Sequence, residues 1–115
     1  MQPESRDLSY LGDMLGFAQS ALRFTVGLTA EDYVGDERSR RAVERVVELI
    51  GEAARNVSEA FRTAHPEIPW ARIIGQRNVL VHDYGDVDDA LIWNLVEQHI
   101  PVLVTELHRL LPDQR

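Results

Sequence analysis

Apolar residues recur every three or four positions at Leu8, Leu11, Leu15, Ala18, Leu22 and Val26. That spacing lays them along one face of an amphipathic helix, predicted from Asp7 to about Val26 with Gly27 at the C-cap. Thr29 and Asp32 then have the spacing of a capping box opening a short helical turn. Asp36 is placed to cap a long second helix running to about Ala64, whose stripe is Ala42, Val43, Val46, Ile50, Ala53, Ala54, Val57 and Phe61. Its other face, mostly Arg and Glu, reads as solvated surface.

Punctuation divides the rest. Gly51 interrupts the second helix although glycine costs about 1 kcal/mol against alanine there, which points to close approach by another helix. Pro66 and Pro69 in HPEIPW end the second helix, and Pro69 suits the first position of a third. The third is predicted to reach about His82 and stop near Gly85. Acids from Asp86 to Asp89 open the fourth at the positive end of its dipole. Its expected stripe is Leu91, Leu95, Val102, Leu107 and Leu110, with a kink at Pro101. No segment alternates as a strand does. The fold class is therefore all-α: one domain over residues 1–115, an up-and-down four-helix bundle with an extra short helical turn. Val47 and Leu49 add apolar surface to the second helix beyond one seam, for which a symmetric homodimer is the natural use.

Composition narrows the setting. A chain of 115 residues with 44% hydrophobic content can bury a core without staples, and the absence of cysteine removes disulfides and thiolate metal sites. Neither a leader peptide nor a membrane span is visible, so the cytoplasm is the default. The net charge of −7 argues against a broad nucleic-acid surface. Yet residues 36–77 carry eight arginines against seven acids, whereas residues 78–115 carry two against seven. All twelve cations are arginine, planar forks suited to carboxylate or phosphate.

That basic stretch ends in GQRNVLVHDYG, residues 75–85. On an ideal helix Asn78 and His82 share a face, but Arg77 and His82, five apart, point roughly 140° away from each other. They can meet if the helix loosens at its end, if the arginine reaches around it, or across a dimer axis. The plain structural alternative has His82 capping the helix, Arg77 paired with an acid and Tyr84 packed. His65 reads as a loop residue in solvent, and His99 and His108 as surface or interface residues. Glu48 and Glu52 read as part of a charged face that could border a cleft. No metal-ligand spacing such as H-E-x-x-H occurs, so no metal and no cofactor are expected.

The combination of Arg77, His82 and Tyr84 in R-x-x-x-x-H-x-Y, with IGEAA at 50–54, HPEIPW at 65–70 and the tryptophan of LIWNLVEQHIPVL at 91–103, resembles the HepT-like toxins of the HEPN superfamily. The resemblance covers nearly the whole chain. It implies a HEPN-like bundle and a metal-independent endoribonuclease toxin acting as a homodimer. Arg77 and His82 would be catalytic and Asn78 supporting, with mRNA or tRNA as substrate. It also implies an MNT-type nucleotidyltransferase antitoxin as partner, transferring AMP to Tyr84 or blocking the site sterically. The alternative is a non-catalytic HEPN dimer that binds nucleotide and docks the nucleotidyltransferase.

Overall fold

The computed structural model describes residues 3–82 and 88–112, with side chains at 5–78 and 88–112. Helix α1 spans Pro3–Thr25. It closes through Gly27, whose φ of 79° is a left-handed turn that a Cβ would oppose. Val26, expected on the α1 stripe, lies beyond the last helical turn and is 79% exposed. The capping box is present: Thr29 Oγ1 accepts from the Asp32 amide and Asp32 Oδ2 from the Thr29 amide, both at 3.1 Å. It opens α2, Ala30–Gly35.

Asp36 caps α3, accepting from the Arg38 amide at 3.1 Å, but α3 spans Glu37–Asn56 and does not continue to Ala64. Val57 and Ser58 are extended, and a separate α4 runs Glu59–Ala64. The break has a chemical cause. Ser58 Oγ accepts from the Phe61 amide at 3.1 Å, and Asp7, buried in α1, accepts from the Ser58 amide at 2.8 Å and its hydroxyl at 2.7 Å. Val57 stays buried and Phe61 packs on the core, so the apolar stripe continues across the interruption and conceals it. Ser58→Ala removes the cap and one partner of a buried carboxylate, and should cost about 1–3 kcal/mol in denaturant unfolding. A loss below about 0.5 kcal/mol, the range of ordinary surface changes, would rule out this pair as the anchor of the break.

Helix α5, Trp70–His82, is secured at its start by Trp70 Nε1 donating to the His65 carbonyl at 2.9 Å. Asp88 caps α6, Asp89–Asn94, accepting from the Ala90 and Leu91 amides. Gly85 and Asp86, the predicted stop and start on either side of this turn, lie outside the described residues. The irregularity expected at Pro101 takes the form of a π turn, Leu95–His99, before α7, Ile100–Leu110. Proline's ring crowds the carbonyl four residues back, and the wider turn lets the Ile100 amide bond to Leu95, five back. Leu95 and Ile100 are both buried as a result. The inward row is Ile92, Leu95, Val96, Ile100, Leu103 and Leu107, whereas Leu91 and Val102, expected inside, are 58% and 60% exposed. Two adjacent apolar rows run along this segment, and the expected stripe mixed them.

The architecture is an all-α bundle. Helix α3 packs against both α1 and α5, α7 packs on α1, and α2 bridges α3 and α6. Ala18, Ala21, Ala53 and Ala54, all buried, keep the α1 and α3 backbones close. Val47 is only 3% exposed and spends its apolar surface within the chain, where α3 meets both α1 and α5, whereas Leu49 is only half-buried. The charged face of α3 is not all solvated either: Glu44 is 4% exposed and paired with Arg41 at 3.0 Å. Among the described residues, no helix is long and apolar enough to cross a membrane.

Candidate functional site

Helices α3 and α5 pack closely at Gly51. A Cβ built there would lie 2.1 Å from Arg77 Cβ, 2.9 Å from Arg77 Cγ and 3.0 Å from the Ile73 carbonyl oxygen. The helix-interior glycine thus makes room for the stem of the arginine singled out by the sequence. With the stem fixed, the guanidinium is placed by the residue after the glycine. Arg77 Nη2 pairs with Glu52 Oε2 at 2.9 Å, and Nη1 donates to Asn78 Oδ1 at 3.1 Å. Its Nε is buried without a partner among the described residues, while the Arg77 side chain as a whole is 17% exposed and that of Glu52 46%.

Glu52 therefore borders the candidate site. Glu48 pairs with Arg45 at 3.1 Å and does not reach Arg77. Asn78, expected on the face of His82, has its carbonyl oxygen on Arg77. Helix α5 keeps its α-helical winding through His82, so loosening before that residue is not how Arg77 and His82 could meet. Reach of the arginine around the helix, or a second copy of the chain, remain as routes. The His82 side chain and all of Tyr84 lie outside the described residues.

The other histidines are more engaged than their sequence positions suggest. His65, expected in solvent, is half-buried, with its ring centroid 4.4 Å from that of Phe61 and Nδ1 3.2 Å from Glu67. His108 stays exposed beside Gln19. His99, at the end of the π turn, has Nδ1 2.7 Å from Arg72 Nη1. Desolvation, then the neighbouring guanidinium, hold the His99 imidazole below its ordinary range, and desolvation also lowers Arg72. The neutral ring accepts the arginine's hydrogen bond. No sequence periodicity links residues 27 apart, and the only local cue was an expected irregularity near Pro101.

The class is that of small all-helical bundles, here carrying an arginine packed on a helix-interior glycine with a histidine five residues on, consistent with a HEPN-like bundle. Residues 14–110 match the family described as Ribonuclease HepT-like. The chain is 36% identical over 101 residues to "Probable ribonuclease HepT" of Thermococcus cleftensis, covering 88% of this chain and 92% of that protein. It is 33% identical over 99 residues to "Putative RNase MJ1380" of Methanocaldococcus jannaschii, covering 86% and 91%. It is 33% identical over 106 residues to "Putative RNase TTE0752" of Caldanaerobacter subterraneus subsp. tengcongensis, covering 92% and 95%. No solved structure matches the chain. The chain belongs to the ribonuclease HepT-like family.

Proposed function

We infer that the protein is an RNA endonuclease, the toxin of a toxin–antitoxin pair, cleaving RNA without a metal at a site built from Arg77 and His82 of two subunits. Family membership supports the activity, and the single observation that carries the residue assignment is the fixed guanidinium of Arg77. Glu52 occupies the place of an anion on that fork, and a phosphate would take over its hydrogen bonds. The substrate supplies the nucleophile, its own 2′-hydroxyl. One His82 takes the 2′-hydroxyl proton as the oxygen attacks phosphorus. The P–O5′ bond breaks, and the departing oxygen receives a proton from His82 of the second subunit. The products are a 2′,3′-cyclic phosphate and a 5′-hydroxyl end. Arg77 stabilises the charge that grows on the non-bridging oxygens during attack. Asn78, bonded to Arg77, positions the fork.

Neutralisation would act on the same arginine. A nucleotidyltransferase partner joins AMP from ATP to the Tyr84 hydroxyl and releases pyrophosphate. The added phosphodiester, seven residues along the sequence from Arg77, competes with RNA for the guanidinium.

The test is cleavage of RNA by the purified protein with and without EDTA, followed by end-group analysis and by intact mass of protein co-expressed with the partner. Unchanged cleavage in EDTA, cyclic phosphate ends and a mass increase of one adenylyl group lost in Tyr84→Phe are expected. Abolition by EDTA would overturn the mechanism, and an unshifted mass in a neutralised complex would replace AMP transfer by steric blockade.

A further inference from the structure

Arg72 in the first turn of α5 has an unusual environment for an arginine in an acidic chain. Among the described residues no carboxylate lies within ion-pairing distance of it. Its Nη1 meets the His99 ring at 2.7 Å, and its Nε is buried without a partner. The first turn of α5 also contains no acid to offset the dipole's positive end. Arg72 and His99 stand together on the wall of a cavity of about 220 Å³, lined also by Glu67, Pro69, Val102 and Glu106. Arg72 and His99 also border a smaller apolar gap of about 10 Å³ lined by Val47, Ile50, Ile73 and Leu103.

The two glutamates do not neutralise this pair. Glu67 is turned to His65 at 3.2 Å, and Glu106 is paired with Arg109. The cavity thus has donors without a counter-charge on one wall and carboxylate acceptors on its rim. An anion beside the pair would accept from the remaining guanidinium N–H groups of Arg72 and from the Nε2–H of His99, whose Nδ1 already accepts from Arg72. The rim carboxylates favour a ligand that also carries hydroxyl or amino donors. The volume lies below the roughly 300–1,000 Å³ of pockets that enclose drug-sized ligands, which restricts the occupant to about the size of a sugar phosphate.

We propose that this cavity binds a small phosphate monoester, its phosphate held by Arg72 and His99 and its hydroxyl or amino groups directed to Glu67 and Glu106. The site is distinct from the Arg77 site. Arg72 and Arg77 are five residues apart and roughly 140° apart around α5, and His82 is about 15 Å further along the axis than Arg72. A phosphate monoester can arrive as a free sugar phosphate or as the 5′ end of an RNA, and the same two residues would read either.

Calorimetric titration with ribose 5-phosphate, with ribose as the control, tests the site in the intact protein. Saturable binding of the phosphate and none of ribose is expected. Affinity should fall at least about tenfold in Arg72→Gln and in His99→Gln, and stay unchanged in Arg77→Ala. Short RNAs with 5′-phosphate or 5′-hydroxyl ends, titrated into Arg77→Ala protein, separate the sources. A response to the phosphorylated RNA alone, lost when Arg72→Gln is added, assigns the site to RNA ends. Circular dichroism melting verifies each fold, and His99→Gln carries the test if Arg72→Gln does not fold. Silence of both ribose 5-phosphate and phosphorylated RNA overturns the proposal, as does binding that survives Arg72→Gln but falls in Arg77→Ala.

Discussion

Gly51→Ala is expected to lower both stability and activity, although alanine is the better helix former. Propensity alone would favour the substitution by about 1 kcal/mol. Against it stands a methyl 2.1 Å from Arg77 Cβ and 3.0 Å from the Ile73 carbonyl oxygen. Neither neighbour can move by a rotamer change, because one is a β-carbon and the other is backbone. Helices α3 and α5 must separate by roughly 1.5 Å to restore ordinary carbon contact. Overpacking of this kind costs about 1–3 kcal/mol, and the net loss should appear as a thermal midpoint several degrees lower. RNA cleavage should fall further than the residual folded fraction explains, since the arginine stem moves with α5. Removing the opposing Cβ by Arg77→Gly in the same protein should recover part of the stability and none of the cleavage. A Gly51→Ala protein with unchanged melting and unchanged turnover would show that the two helices are free to part.

Arg77→Ala should lower cleavage by about 10²–10³-fold, the usual effect of deleting a donor to a developing oxyanion. Its melting temperature should change little, because its partner Glu52 is 46% exposed and can be solvated when the arginine is gone. His82→Ala should lower turnover by about 10²–10⁴-fold through loss of proton transfer. Mixing the two inactive variants offers a sharper reading. If one cleft draws on both subunits, a heterodimer of Arg77→Ala and His82→Ala chains retains one arginine and one histidine across the axis and should regain partial activity. Two variants that each cleave RNA at the wild-type rate would remove both residues from the mechanism.

Helix positions were the legible part of the fold, because apolar spacing and caps are local signals. The capping box at Thr29, the cap at Asp36 and, one residue later than the expected Pro69, the start of α5 at Trp70 were each readable from a few neighbouring residues. What the pattern hid were choices made by distant partners. The break at Ser58 depends on Asp7, 51 residues earlier. Leu103 over Val102 as the inward residue depends on how α7 meets α1 after the π turn. At the site, a costly glycine announced that something approaches Gly51, but only the packing of α5 identifies it as Arg77. The meeting of Arg72 and His99 had no periodic signal, only the irregularity expected near Pro101, since residues on separate helices meet without periodicity.

The bond between Asp7 and Ser58 also orders events in time. Ser58 can cap the first turn of α4 locally, but its own amide and hydroxyl are held only once α1 has docked. A six-residue helix such as α4 is too short to persist alone in water. Its formation therefore follows a long-range encounter, and the chain spends loop-closure entropy before α4 contributes anything. The amino-terminal helix is in this sense a precondition for the segment leading from α3 into α5.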